Sequence, residues 1–571
     1  MTKSKLMVLM LIFIMLFTVA FTGCTGDEPT DTPSSSDNQG SGDTPSSSDT
    51  PSSTDDGKEL AEEQILRLNW AAEPPGMDTQ TTTAALSIEI IRATMEGLVR
   101  PDQNGFIKKG SGLAKDWEIS DDGLHYKFYL RDAKWSDGTP ITTEDIKFSW
   151  LRALDPDTAA EYAGMLYAVE GAEAYNKGEG SREDVAIRTP DEKTIEVDLV
   201  RPTAQFLELT SFATLIPAQK AAVEKLGEEY AADADKIVYS GPFVISEWNH
   251  DQNLILEKNP NYWDAEVVKL ERIEGDMILD ANAAVNLYDT DGLDTIAVPS
   301  EFVERYGKTD EYIIVPNATT WYLQFNFTNK IMSNYHIRAA FSQALDSESF
   351  VKSVLNGVGL VAEGLTPPGM PGKDGKAFDE LRTSKSLPFN VEAAKKHLEE
   401  GLKELGMTKE ELEKEVTFLA GDTSGWVNMT QAFQQMWKEN LGLEIFVENA
   451  SYAIRLDRYN KKDYTISLAG WGGDYNDPMT FMDLFITNGG NNDAYYSSQE
   501  YDDCINTAVN GMGDERIDAM LIAEELLVKE LPVHPVYHPV RDVVVKPYVK
   551  DIVRPLCGAD NDYKWAYILK H

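Results

Sequence analysis

Cysteine is almost missing from this chain: 571 residues hold three, at positions 24, 504 and 557. That excludes a disulfide scaffold, and no Cys-x-x-Cys occurs to hold zinc. His-Glu-x-x-His and Gly-x-Ser-x-Gly are absent as well, which removes the common zinc-protease and serine-hydrolase signatures. Positive charge is scarce: 52 Lys and Arg stand against 95 Asp and Glu, for a formal net charge of -43. Nucleic-acid phosphates are therefore excluded as partners. Most of the acidic excess reads as solvated surface. Two stretches imitate metal sites. His534-Pro-Val-Tyr-His538 has i,i+4 spacing, but Pro535 makes helical presentation untenable, so it reads as an extended, partly buried segment. Asp289-Thr-Asp-Gly292-Leu-Asp294 has its glycine at the wrong offset for a calcium loop and reads as an acidic turn. No catalytic group, metal or cofactor is assigned.

What is present begins with a targeting segment over 1–23. Lys3 and Lys5 precede an uncharged, mostly apolar run from Leu6 to Phe21, followed by Thr22-Gly23-Cys24. The pattern looks like a bacterial lipoprotein signal with Cys24 as the lipidated residue. An uncleaved anchor is the alternative, although the run is short for a membrane span. Residues 24–57 are dominated by Ser, Thr, Asp, Pro and Gly, with near repeats at Asp31–Asp37 and Asp43–Asp49. Nothing there offsets chain entropy, so a disordered tether reaching roughly 30 Å is expected. The rest is 42% hydrophobic and 10% aromatic by whole-chain composition and long enough for two or three lobes.

Periodicity places strands at Ile65–Trp70, His125–Leu130, Asn253–Glu257, Tyr322–Asn326, 443–448 and Tyr464–Ala469. Helices are expected over Ala84–Val99, from Thr142 to Leu154 behind a capping box with Asp145, over Ile337–Asp346, and near 391–405, 428–440 and 515–530. Interleaved strands and helices argue an α/β body. The most informative stretch is Trp471-Gly-Gly-Asp474-Tyr-Asn-Asp477-Pro478. Gly470, Gly472 and Gly473 remove Cβ atoms as the strand ends, so a second backbone can approach. Asp474 adds a carboxylate, and Asp477 can cap a helix starting at Pro478. A cationic group arriving with exposed backbone suits this loop. The free amino end of a peptide is one.

The stretch resembles the extracellular solute-binding proteins of family 5, the receptors of oligopeptide and dipeptide ABC importers. The likeness extends through Asn491-Asn492-Asp-Ala-Tyr-Tyr, Gly112–Gly123, Trp135–Pro140 with Phe148-Ser-Trp150, Lys258–Trp263, Lys546–Val549 and Tyr567–His571, and so covers 65–571. The resemblance implies a periplasmic-binding-protein type II-like clamshell. Lobe I would be 58–95, 217–318 and 541–571, inserted lobe II 96–216, and lobe III 319–540. It also implies peptide lying extended between lobes I and III, adding a strand to protein backbone. Gly470 and Gly472 match backbone-pairing positions, Asp474 the carboxylate on the ligand's α-ammonium, and Asn491 a polar contact. Ala85 lies near a facing strand of lobe I, while Trp471, Tyr322 and Tyr452 match pocket walls. Thr319 and Gly472 stand where some relatives carry a disulfide. Leu468 and Trp426 replace basic groups that meet the ligand's carboxylate in some relatives. Expected partners are short peptides, the permease subunits of an ABC importer with its cytoplasmic ATPases, and a membrane reached through a lipid anchor; the protein itself is expected to be a monomer. The alternatives are another family ligand (nickel chelate, haem, oligosaccharide), a peptide-signal sensor and, from a different class, a surface hydrolase.

Overall fold

The computed structural model describes residues 59–571. The signal segment, Cys24 and the tether lie outside them. Alternation does what the sequence predicts in the first strand: Leu66 and Leu68 of Ile65–Asn69 are buried while their neighbours are half-buried. That strand is inside a seven-stranded sheet ordered Tyr312–Pro316, Val540–Val545, Thr295–Ala297, Ile65–Asn69, Arg272–Asp276, Asn253–Lys258, Phe243–Asn249. It pairs in parallel with both neighbours, and the remaining pairs are antiparallel. A four-stranded antiparallel sheet is made by Ala114–Ile119, His125–Leu130, Thr194–Asp198 and Ile187–Asp191. A six-stranded sheet runs Leu360–Val361, Val533–His538, Thr319–Phe325, Ile466–Gly472, Thr417–Ala420, Phe446–Asn449. The fold is mixed α/β.

One continuous apolar core joins the seven-stranded and four-stranded sheets, including Leu66, Phe128, Trp135, Trp150 and Phe243. The six-stranded sheet has its own cores, one on each face. Phe341, Phe418, Phe433 and Trp437 fill the first; Phe481, Phe485, Tyr501 and Met520 fill the second. The chain passes between these two blocks only twice. Strand Tyr312–Pro316 of one sheet leads through Asn317 and Ala318 into Thr319–Phe325 of the other, and Val533–His538 returns through Pro539 into Val540–Val545. The two crossings are neighbours, because the strands pair on both sides: Pro316 with Val540, and Trp321 with Tyr537.

Several elements differ from their sequence reading. The capping box of Thr142 and Asp145 starts Thr143–Ala153 as expected, and helix Val391–Leu405 has the expected ends. The helix read over 84–99 covers only Ala85–Thr94, because Met95 turns extended. Its missing end is used otherwise. Arg100 Nε donates to Glu96 Oε1 (3.0 Å), its Nη1 to Asp562 Oδ2 (2.7 Å) and its Nη2 to the carbonyls of Arg92 and Met95. Arg92 Nε also donates to Asp562 Oδ2 (2.8 Å), and Glu96 accepts from the Tyr262 hydroxyl. This buried network ties the helix, the start of the four-stranded region and the C-terminal segment. The strand read over 443–448 shortens to Phe446–Asn449, since Leu443 and Ile445 are taken into the core ahead of it. The 534–538 segment is a strand and is wholly buried, not partly. His534 is pushed down to about 4 by that burial, so both imidazoles there are neutral core groups.

Candidate functional site

Strand Ile466–Gly472 emerges progressively from the core. Ile466 to Leu468 are buried, Ala469 and Trp471 half-buried, Gly470 and Gly472 exposed. The glycine run is thus the strand's own end, and the sequence reading stopped it three residues early. On one side it pairs along its whole length with Thr319–Phe325, with Thr319 directly opposite Gly472. Cys504 and Cys557 are both free. On the other side, pairing with Thr417–Ala420 reaches only Ser467. From Leu468 to Gly472 that edge has no strand beside it among the described residues. An extended segment placed there would complete the ladder. Gly470 has a second duty: a Cβ would lie 2.8 Å from the Trp321 ring, which covers the glycine from the paired strand.

The loop that follows is pinned. Gly473 N–H donates to the Ala318 carbonyl (2.6 Å). The buried Thr480 hydroxyl accepts from Asp474 N–H (3.2 Å) and from Trp471 Nε1 (3.3 Å). Asp477 Oδ1 accepts from Met479 N–H (2.8 Å), capping a single helical turn, Met479–Met482, that starts one residue later than read. Both Asp477 oxygens take the Arg516 guanidinium, at 2.6 and 2.8 Å. Arg516 is nearly buried, and a bidentate pair of this kind fixes orientation as well as energy. Replacing Arg516 by Leu should lower stability by about 3 kcal/mol, because it leaves a mostly buried carboxylate unpaired. It should also weaken ligand binding about tenfold through the loosened loop, by analogy with other misplaced site groups. Thermal melts with calorimetry check both, and a variant unchanged in each would show the pin to be dispensable.

Asp474 has no hydrogen-bond or ion-pair partner for its carboxylate among the described residues. Surrounding protein pushes its pKa up by desolvation. It faces a cavity lined by Ile88 and Arg92 of helix Ala85–Thr94, by Glu208 and Phe212, and by Cys557. A neighbouring cavity of about 220 Å³ shares Arg92, Glu208 and Cys557. The walls come from both blocks of the fold. Burial, opposed in part by Arg92, pushes Glu208 up to about 8. Burial and then the charges of Asp474 and Asp477 push Asp483 up to about 7. Burial is the first cause of both shifts; Glu208 lines both cavities, while Asp483 lies behind the Asp474 loop and lines neither.

The other expected residues are more dispersed. Ala85 is exposed and opens a helix, not a strand, although that helix supplies Ile88 and Arg92 to the cavity. Asn491 is exposed in a turn; its neighbour Asn492 is buried and holds that turn by donating to the Ile486 and Tyr496 carbonyls. Tyr322 is buried edge-on to Phe485 at 6.3 Å between ring centroids. Tyr452 starts helix Tyr452–Asn460 and is 67% exposed. Arg455 was not singled out from sequence. Its guanidinium lies 4.5 Å from the Trp426 ring and 5.4 Å from that of Tyr452, and no carboxylate pairs with it among the described residues. Its Nε is buried without a partner. Trp426 in turn packs edge-on to Trp321, opposite Gly470. The i,i+3 spacing of Tyr452 and Arg455 is legible in the sequence, but the contact with Trp426, from another helix, and the absence of a counter-ion among the described residues are not.

The family described as bacterial extracellular solute-binding proteins, family 5, is matched over residues 110–493. The oligopeptide-binding protein OppA of Bacillus subtilis is 33% identical over 509 residues, spanning 88% of this chain and 92% of that protein. Among solved structures, the unliganded open form of the periplasmic murein tripeptide binding protein MppA superposes with a TM-score of 0.81 at 26% identity, covering 90% of this chain and 99% of its own. Listeria monocytogenes OppA bound to peptide gives 0.66 at 32% identity, covering 90% and 100%. The better superposition is on the less similar sequence. Sequence identity does not order the two figures.

Proposed function

The chain belongs to the bacterial extracellular solute-binding proteins of family 5, and from that we propose that it captures short peptides between its two blocks and delivers them to an ABC permease for uptake. One observation carries the reading: a strand edge without a neighbour over Leu468–Gly472 leads directly to the unpaired carboxylate of Asp474. A peptide lying along that edge gains main-chain hydrogen bonds that do not read its side chains, each worth about 0.5–1.5 kcal/mol net. Its α-ammonium meets Asp474. Its far carboxylate is drawn toward Arg455, which lies across Trp426 and Trp321 from Gly470. Trp471, Gly470, Gly472, Asn491, Tyr322, Tyr452 and Ala85 are retained as contacts in this proposal.

The higher likeness to an open, unliganded relative supports reading the present conformation as open. The proposed lobes are I, 58–95 with 217–318 and 541–571; II, 96–216, inserted in lobe I and sharing its core; and III, 319–540, with closure between lobe III and lobe I. Ligand holding both walls shifts the population toward a closed form that the permease recognises. The work asked of the protein is binding, and no residue is given a catalytic role. Cys24 and the 24–57 segment are proposed as the lipid anchor and tether that keep the body at the outer face of the membrane.

Calorimetry with a mixed pool of free tri- to pentapeptides, and with the same peptides N-acetylated or C-amidated, tests the reading. Free peptides should bind, acetylation should cost most of the affinity, and amidation should cost a smaller part of it through loss of the attraction to Arg455. Equal binding of acetylated and free forms would point to a ligand of another class, as would mass spectrometry recovering an amine-free molecule from the purified protein.

A further inference from the structure

Helix Val391–Leu405 carries His397, Glu400 and Glu404 at spacings of three and four, which puts them on one face. That face packs on helix Tyr335–Gln343, whose second residue is His336. The contact is close for a sequence reason. Gly401 follows Glu400, and a Cβ there would lie 2.6 Å from Ile337 Cδ1, so the absent side chain makes the notch that Ile337 fills. Seating Ile337 in that notch brings His336 against His397. Their Nδ1 atoms lie 2.7 Å apart, and Glu400 Oε2 is 3.3 Å from His336 Nδ1. One donor atom from each of His336, His397 and Glu400 falls within 4.8 Å of the others. Glu404 Oε1 stands 3.9 Å from His336 Nε2, and its other oxygen is held by Asn334 Nδ2 at 2.8 Å. The Tyr335 ring lies edge-on to both imidazoles, 5.8 and 6.0 Å away between centroids.

Two imidazole nitrogens and a carboxylate oxygen, half-buried and converging from two helices, form the donor set of a divalent transition cation. Surface histidines elsewhere in the chain are arranged differently. His125 Nδ1 is paired with Asp198, and both ring nitrogens of His250 are taken by Glu73 and Asp233. We propose that His336, His397 and Glu400 bind a Zn²⁺-class cation that clasps the two helices, with water or Glu404 completing the coordination. Two Zn–N bonds of about 2.05 Å at a tetrahedral angle separate their nitrogens by about 3.3 Å. A small rotation of the half-exposed rings from 2.7 Å achieves that. Neither helix lines the cavities beside Asp474, so this site is separate from the peptide cleft and does not depend on it.

The full-length body without a histidine tag, stripped with EDTA, is titrated with ZnCl₂ by calorimetry and with CoCl₂ by visible absorption. One site of micromolar or tighter affinity is expected, with the intense absorption of tetrahedral Co²⁺ and a rise in melting temperature. Excess Mg²⁺ should not displace the metal, since hard cations prefer all-oxygen sites. His397→Ala and, separately, His336→Gln should each weaken Zn²⁺ at least 100-fold and abolish the Co²⁺ spectrum, while His250→Ala leaves both unchanged. His336→Gln preserves the packing if His397→Ala does not fold. Absence of stoichiometric Zn²⁺ binding, or binding that survives both substitutions, overturns the proposal.

Discussion

Asp474→Asn should reduce the affinity for a free-amino peptide by roughly 100-fold or more, about 3 kcal/mol, with the fold unchanged. Removing one partner of a charge pair inside a closed site costs about 3–5 kcal/mol, and an amide returns only part of it as a neutral acceptor. The stability side of the substitution has the opposite sign. Burial raises the Asp474 pKa with no partner to offset it, so the folded protein without ligand disfavours the ionised form. Removing that charge should leave the melting temperature equal or slightly higher. Loss of binding with retained stability separates a binding role from a structural one. The same shift gives the pH profile: an ammonium binds the ionised carboxylate, so affinity holds at neutral pH and declines as pH falls into the raised carboxylate range. With an N-acetylated peptide the wild type and the variant should bind alike, because the interaction is already missing. Unchanged affinity for the free peptide would remove Asp474 from the site.

Asp562→Ala should lower unfolding stability by about 3–5 kcal/mol at neutral pH, through a different physical route. Asp562 is buried and takes both Arg92 and Arg100, while its Oδ1 accepts from Lys564 N–H (3.1 Å). Without it two guanidinium groups lose their shared counter-charge in a place water reaches poorly. The two arginines outweigh burial and hold Asp562 down to about 2. A depressed carboxylate contributes stability that is complete above its unfolded value near 4 and lost as pH falls through about 2. Urea unfolding of the wild type should therefore weaken across that window by about 2 kcal/mol more than unfolding of the variant does. Coincident urea midpoints for the two at neutral pH would show that the network is not what secures the C-terminal segment.

Local chemistry was legible where one residue type has one good use. Thr142 with Asp145 announces a helix start, and His125–Leu130 alternates because one face is core. Where a proline can sit in a strand depends on its tertiary setting. Ile187–Asp191 contains Pro190 and was not read as a strand, yet it is the edge of its sheet, where a missing N–H costs nothing. Pro535 sits in a buried strand for a related reason: the neighbour on one side, Leu360–Val361, pairs only with Tyr537 and His538. At the site, the glycines and Asp474 stood out by sequence. The properties on which the proposal rests, an edge without a neighbour and charges without partners, are statements about what other segments fail to supply. Periodicity carries no such information. Tyr322 illustrates the limit: its type and position fit a pocket wall, but which face of its strand meets the core was decided by Phe485, more than 160 residues away.

The double crossing at Asn317-Ala318 and Pro539 has a mechanical consequence. Two paired ribbons side by side oppose sliding and splaying more than twisting about their common axis, so the proposed closure would be confined largely to one swing. On the proposed function, how long a guest is retained would then depend partly on the torsional stiffness of the crossing residues. Pro539→Gly, in the crossing that makes no contact with the Asp474 loop, is the substitution by which to test that stiffness.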